Sequence, residues 1–357
     1  MTAIQAQEMN EVKLQQLVGT MVNELGAAAT GALILIGDRL GLYKALAQSE
    51  PATAETLARR TGTQERYVRE WLANQAASGF VDYDASTRTF SLSPEQTAVF
   101  AADDSPMLLT GGFYSVASVY KNVDTLEQCF RSGAGIEWSK QDGCLFCGVS
   151  KFFRTSYLAN LAGDWLPALD GVVEKLQRGI SVADVGCGYG SSTILMAKAF
   201  PNSTFTGYDF HAHSIEHARA DAKKAGVKNA RFEVALAKDY PGHGYGLVTF
   251  FDALHDMGDP VGAAKHVRKS LAKDGTWMVV EPAAGDTLAD NLNPVSRSYY
   301  AFSTAVCTPT SLSQEVGLAL GAQAGEKKLR EVIGQAGFGR IRCAAKTPFN
   351  LVLEAKL

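Results

Sequence analysis

The chain reads as an α/β protein: a Rossmann-like parallel sheet in its C-terminal half, preceded by an α-rich winged-helix segment and a helical connector. Three observations predict this. From residue 179 onward, apolar strand runs alternate with amphipathic helical runs. Within that half, "VADVGCGYGSSTILMAKAF" (182–200) joins an apolar strand, a glycine loop and a helix start. Residues 53–93 show a helix, a tight turn, a second helix and two alternating runs around a polar turn. The boundaries drawn from these patterns are 1–95, 96–178 and 179–357.

Taken in order, residues 10–48 predict two helices, 10–26 and 31–47, each with apolar residues at helical spacing. The second is apolar nearly all round, so it is expected to be buried; its apolar core, 26–37, is too short to cross a bilayer. The opening "MTAIQAQEMNEVKLQQ" has no basic segment ahead of an apolar run, so no secretory leader is expected. Thr53 and Thr63 are placed to cap the two helices of the winged unit, with a turn at Gly62. The charges of the second helix, Glu65, Arg66, Arg69 and Glu70, cancel, whereas a helix that tracks phosphates needs a positive surplus. DNA reading is therefore not expected of it.

Residues 94–178 are a mostly helical stretch rich in aromatic side chains. Phe153 and Tyr157, four apart on one helix face, are candidates for a substrate or cofactor wall. Composition sets outer limits on partners. With 46% hydrophobic and 20% charged residues, the 357-residue chain can bury substantial cores, and its net charge of −3 gives no electrostatic footprint for nucleic acid or an anionic membrane. Six scattered cysteines suit a reducing cytoplasm better than a disulfide framework. No metal is expected: Cys144 and Cys147 lack a second pair, and His211 and His213 do not share a helix face with each other.

The glycine loop narrows the ligand. Gly186, Gly188 and Gly190 run G-x-G-x-G, and Ser191 stands where a dinucleotide fingerprint needs its third glycine. Asp184, two residues before the loop, would repel a pyrophosphate but could pair with an ammonium. Asp209, at the tip of the next apolar run, is placed to accept two ribose hydroxyls. A nucleoside carrying an amino acid fits both carboxylates. Further on, the predicted elements are a helix from Ser214 to Ala225, the strand "ARFEVAL" ending near Leu236, the strand "GLVTFF", a helix capped by Asp259 with Pro260 at its first position, and the strand "TWMVVE" ending at Glu281. His255 and Glu281 thus fall just past the carboxyl ends of neighbouring strands, where ligands collect in open α/β sheets. Past Pro282, a long excursion holds Tyr299, Tyr300 and Phe302, candidates for the substrate wall, and its length permits a mobile lid.

The run "DVGCGYG" (184–190), followed by "GYD" (207–209), resembles the class I S-adenosylmethionine-dependent methyltransferases. The resemblance covers roughly half the chain. It implies a seven-stranded sheet closed by a terminal hairpin, S-adenosylmethionine as cofactor with S-adenosylhomocysteine as product, and cofactor contacts at Phe210, Leu236, Ala237 and Phe251 as well as at the loop and the two aspartates. Many relatives hold the adenine amino group with an acidic residue near the third strand tip; here Ala235, Leu236 and Ala237 occupy it, with Asp239 slightly beyond. The segment "ALHDMGD" (253–259) resembles the stretch of small-molecule O-methyltransferases that carries their catalytic histidine. That match implies His255 as general base and Glu281 as the carboxylate orienting it. A second glutamate of the plant enzymes falls on Gln323, a departure that Glu326 is close enough to offset. In such enzymes the winged unit joins two subunits, which implies a homodimer acting on a small, hydrophobic, hydroxyl-bearing molecule. Three alternatives stay open at this level: a winged-helix regulator that senses the cofactor without catalysis, transfer to nitrogen or carbon by proximity alone, and a dehydrogenase.

Overall fold

The computed structural model describes residues 9–48 and 50–357, and the reading of the opening stretch falls in part on residues 1–8, outside them. The chain forms two compact units, 1–113 and 114–357. The first begins with α1 (Glu11–Arg39), a 29-residue helix that runs through the break expected between residues 26 and 31; the break between the two helices of this stretch falls instead at Leu40 and Gly41. No residue between Gly26 and Gly31 breaks it, because Ala27, Ala28 and Ala29 are the strongest helix formers available. Asn10 caps it by accepting the Lys13 N–H at 3.0 Å, and Gly41, in the left-handed region at φ 68°, ends the run. At this length the helix is long and apolar enough to cross a membrane by length and composition alone, which the shorter stretch 26–37 was not. Its buried residues all lie in the last third, at Thr30, Gly31, Ile34, Leu35 and Gly37. Ile36 is 43% exposed, so the expected burial all round is confined to one face.

Next come α2 (Leu42–Ala47), α3 (Ala54–Thr61), α4 (Glu65–Ala77), β1 (Asp82–Asp84), β2 (Thr89–Ser91) and α5 (Pro94–Phe100). Thr53 caps α3 as expected, accepting from the Thr56 N–H, and Gly62 turns at φ 65°. Thr63 does not cap α4. Gln64 holds that position without a side-chain bond, and the Thr63 hydroxyl pairs with Thr61. On α4 the four charges form two ion pairs along the helix, Arg66 with Glu70 and Arg69 with Glu65. The wing strands pair antiparallel, Tyr83 opposite Phe90. Ile34, Leu42, Tyr43, Leu57, Trp71 and Leu72 form the core of this unit.

The helices that follow are α6 (Thr110–Lys121), α7 (Val123–Ser132), α8 (Gly143–Asn160) and α9 (Val172–Arg178). Strands and helices then alternate: β3 (Ser181–Val185), α10 (Ser191–Ala199), β4 (Thr204–Asp209), α11 (Ala212–Lys224), β5 (Ala230–Val234), β6 (Tyr245–Phe251), α12 (Pro260–Ser270) and β7 (Leu271–Pro282). The chain ends with α13 (Pro294–Phe302), α14 (Thr308–Leu312), α15 (Gly325–Gln335), β8 (Arg340–Lys346) and β9 (Asn350–Lys356). The seven strands lie in the order β5-β4-β3-β6-β7-β9-β8. All neighbours are parallel except the pairs made by β9, which is antiparallel to both β7 and β8.

Both faces of the sheet are covered, which explains why its central strands read as nearly unbroken apolar runs. Val185, Val248, Phe250 and Val279 point into one cluster with Ala264, Val267 and Ile333 of α12 and α15. Val182, Leu247, Phe251 and Val280 point into the other, with Tyr157, Trp165 and Leu176. Strand order reverses between β3 and β6, so the crevice beyond their carboxyl ends is the topological switch point. The excursion past Pro282, where length alone permitted a lid, is instead helical: α13 continues through a π turn, Ser303–Cys307, into α14.

Candidate active site

The glycine loop closes over the end of β3. Gly186, Gly188 and Gly190 all have positive φ, at 73°, 53° and 76°. The Tyr208 carbonyl accepts the N–H groups of both Gly186 and Cys187, which fixes the turn to β4. Two of the three glycines are also demanded by space. A Cβ on Gly186 would stand 2.8 Å from that of Ala253, and one on Gly190 would stand 2.5 Å from the Phe232 ring, whereas one on Gly188 would meet nothing. Gly188 is therefore the point at which bare backbone faces open space.

Asp184 sits beneath this loop, almost fully buried. Its Oδ2 accepts the hydroxyls of Ser192 at 2.7 Å and Thr193 at 2.6 Å, and its Oδ1 accepts Thr249 at 3.0 Å. Burial raises the pKa of this carboxyl, and the three hydroxyl donors hold it down in part. The side chain expected to meet a ligand ammonium is thus committed to hydroxyls, tying β3 to the start of α10 and to β6. Its negative charge still lies under the loop.

Asp209 ends β4 and accepts two backbone N–H groups, from Gly188 to Oδ2 at 2.9 Å and from His211 to Oδ1 at 2.8 Å. Burial raises its pKa, and those two N–H groups counter the rise. Each oxygen keeps a further lone pair for a ligand hydroxyl. Phe210 and Leu236 are about half exposed and Ala237 partly so, as befits a corner lined by apolar surface. β5 stops at Val234, two residues short of Leu236, and Asp239 is exposed.

His255 lies on a short 3₁₀ turn, Leu254–Asp256, directly after β6, and is 4% exposed. Its Nδ1 is 2.5 Å from Glu281 Oε2, and Glu281 Oε1 accepts the Leu254 N–H at 2.9 Å. One carboxylate therefore positions both the ring and the turn that carries it. The other ring nitrogen, Nε2, lies 3.2 Å from Asp256 Oδ1. Burial alone would pull the His255 pKa down, but Glu281 and Asp256 outweigh it and hold it well above the usual histidine value.

Three residues here went unassigned in the sequence. Asp252 follows β6 with φ 48°, a strained value for a residue with a side chain. Its Oδ1 accepts Asn350 Nδ2 at 3.0 Å, its Oδ2 is buried without a partner, and burial, followed by Glu281, raises its pKa well above the usual range. Asp256 Oδ1 is likewise buried without a hydrogen bond. Cys307, on the π turn, brings its sulfur to within 4.8 Å of the His255 and Asp256 donor atoms, a grouping that could hold a metal ion. Burial, followed by Asp256, pushes its thiol up to about 12. Only the "HD" doublet hinted at any of this; Cys307 is too distant in sequence for spacing to signal it.

The aromatic candidates separate. Tyr157 is buried, packs on Phe251 at 5.1 Å between ring centres and stacks with Phe153 at 6.4 Å, so these three form one wall. Tyr299 is buried and donates its hydroxyl to the Phe349 carbonyl at 2.9 Å. Tyr300 is half-buried with its hydroxyl near Asn291. Phe302 packs elsewhere, against a cluster built on Leu126, Ile136 and Leu145. Glu326 pairs with Arg330 at 2.6 Å, and the Gln323 Oε1 is buried and unpartnered. His213 and His217 pack edge-on, and His217 stacks on Tyr189.

Against this geometry, residues 176–337 match the family described as "Methyltransferase domain", and residues 28–102 match the "Rv2258c-like winged HTH domain". Residues 176–337, a little under half of the chain, are thus a methyltransferase domain. Solved structures resemble the whole chain in fold. A candidate O-methyltransferase of Nostoc punctiforme PCC 73102 gives a TM-score of 0.71 at 20% identity, covering 94% of this chain and 98% of that one. The mitomycin 7-O-methyltransferase MmcR gives 0.71 at 18%, covering 98% and 100%. Human N-acetylserotonin methyltransferase, in complex with S-adenosylmethionine, gives 0.71 at 14%, covering 99% of both chains. Among curated relatives, a tRNA (guanine-N(7)-)-methyltransferase of Botryotinia fuckeliana (strain B05.10) is 34% identical over 56 residues, 16% of this chain. The match spans 20% of that relative's length, and one to an uncharacterized Synechocystis protein spans 12% of its length. The methyltransferase domain thus contains the glycine loop, both buried aspartates, His255 and Glu281 within the matched residues.

Proposed function

We propose that the chain transfers the methyl group of S-adenosylmethionine to a hydroxyl of a small, hydrophobic molecule, with His255 as general base. The observation that supports this reading is the Glu281–His255 pair at 2.5 Å, past the carboxyl end of β6 and at that of β7, next to the switch point of the sheet. Glu281 holds the proton of the neutral ring on Nδ1, which leaves the Nε2 lone pair to accept a hydroxyl proton. Methyl transfer from a sulfonium is an in-line displacement, so the protein's task is to align acceptor and methyl and to exclude water. Phe153, Tyr157 and Phe251 supply the apolar side of that task. The high proton affinity of His255 sets an order of events: the ring is protonated while it faces only Glu281 and Asp256, and the arriving sulfonium, itself cationic, favours release of that proton.

In this reading Asp209 takes the ribose hydroxyls and Gly188 admits the nucleoside. Asp184 acts through the loop, its charge favouring the methionine ammonium from below. Phe210, Leu236 and Ala237 face the adenine. The protein works as a homodimer through the first unit, a reading supported by Val18, Met21, Val22 and Leu25, exposed apolar residues of α1 at helical spacing. The scattered placing of the six cysteines along the sequence supports a cytoplasmic reading. The paired charges of α4 support an architectural role for the winged unit over DNA reading.

The test is His255→Ala. Turnover of a hydroxyl-bearing acceptor falls by at least about 100-fold, the scale of a lost general base, while S-adenosylhomocysteine still binds with unchanged affinity by calorimetry. Full turnover in that variant would instead place the reaction among transfers by proximity.

A further inference from the structure

The group formed by His255 and two neighbours, buried except for the partly exposed Asp256, has the make-up of a metal site. His255 Nε2, a carboxylate oxygen of Asp256 and the Cys307 sulfur lie within 4.8 Å of one another, with Nε2 and Oδ1 at 3.2 Å. Nitrogen and oxygen donors on one tetrahedral zinc stand about 3.4 Å apart, because each bond is about 2.1 Å long. The ligand types are those that zinc-class cations select: imidazole, thiolate and carboxylate. Two further observations point to a ligand. Asp256 Oδ1 is buried without a hydrogen bond, and its 3.2 Å approach to Nε2 is an ion pair only while the ring is protonated, so a neutral ring leaves it unsatisfied. Glu281 holds the opposite ring nitrogen at 2.5 Å, the carboxylate–histidine support that metal-ligating imidazoles almost always have.

We propose that His255, Asp256 and Cys307 form a three-ligand site for a zinc-class divalent cation, with a fourth position open, and that its occupancy inhibits methyl transfer. Inhibition follows from shared use of one lone pair. A cation on Nε2 removes the electron pair with which His255 would accept the acceptor's proton, so the loaded site and the working base exclude each other. The inhibitory half rests on His255 serving as base; the site itself does not.

Cobalt(II) is the probe, added to the full-length protein after chelation and dialysis and read by absorption. One equivalent produces the intense visible bands of a four-coordinate ion and a near-ultraviolet thiolate-to-cobalt band, and zinc displaces both. Cys307→Ser abolishes the near-ultraviolet band, whereas replacing Cys144 and Cys147 together with serine leaves it intact. Should Cys307→Ser fail to fold, Glu281→Gln tests the same site, weakening cobalt binding by about 10–100-fold through the lost outer hydrogen bond. Absence of the thiolate band at stoichiometric cobalt, its dependence on Cys144 and Cys147, or unchanged affinity in Glu281→Gln overturns the site. Turnover that continues undiminished with zinc bound overturns the inhibition. Retention of turnover by His255→Ala would count against the base alone, since the cobalt spectrum is read without any acceptor.

Discussion

In the proposed reading, Asp209 concentrates the ribose contacts of the cofactor in one side chain. Its two oxygens already accept the N–H groups of Gly188 and His211, so the carboxylate shapes the glycine loop before any ligand arrives and offers its remaining lone pairs to hydroxyls. Removing it takes away both the acceptor and the support. Hydrogen bonds to charged groups contribute about 1.5–3 kcal/mol each, so Asp209→Ala is expected to weaken S-adenosylhomocysteine binding by at least the roughly 10–150-fold that one such bond carries. Titration calorimetry reads this directly, and an unaltered dissociation constant would take the ribose role away from this residue. The positions of this aspartate and Asp184 at the ends of their strands were legible in the sequence, since each closes an apolar run. The partners of Asp184 were not. Nothing in the order of residues indicates that Ser192, Thr193 and Thr249 all turn inward, because that depends on the helix phase after the loop and on the strand next to β3.

At the scale of elements, the segment from β3 through α10 carries its own instructions. A buried strand can pass into a helix here only by a sharp left-handed excursion, and glycine alone takes those angles without strain. Gly190 adds a second requirement, since its missing side chain is where the Phe232 ring packs. In Gly190→Ala, left-handed strain of about 1–2 kcal/mol and overpacking of about 1–3 kcal/mol add, and the urea midpoint falls accordingly. A variant as stable as the parent would mean that Phe232 shifts freely and that the loop is not anchored there. Asp259 and Pro260 were equally readable: the aspartate accepts the Gly262 N–H at 2.7 Å at the start of α12. Elements whose ends depend on tertiary context were harder to place. Gln64, not Thr63, begins α4. α1 runs through a predicted break, and the stretch after Pro282 folds into helices where residue spacing announced only length.

For the whole molecule, the first unit leaves an apolar stripe without a partner among the described residues. Val18, Met21, Val22 and Leu25 recur at positions i, i+3, i+4 and i+7 of α1, all exposed, while the burial that anchors this helix lies in its last third. A stripe of that kind is costly to leave in water, at about 25 cal/mol per Å² of apolar surface, and a second copy would bury it twice over by symmetry. A lipid bilayer would also cover it, and the helix is long enough for one. The anchoring of its C-terminal third by Ile34, packed in a core with Leu42, Tyr43 and Trp71, favours the protein partner, because a spanning helix would have to pull that residue out. Sedimentation of the full chain is therefore expected to give a dimer, and the pair Met21→Glu and Leu25→Glu to give a monomer that still binds S-adenosylhomocysteine. A monomeric parent, or one that floats with phosphatidylcholine vesicles, would refute the dimer and assign the stripe to solvent or to membrane.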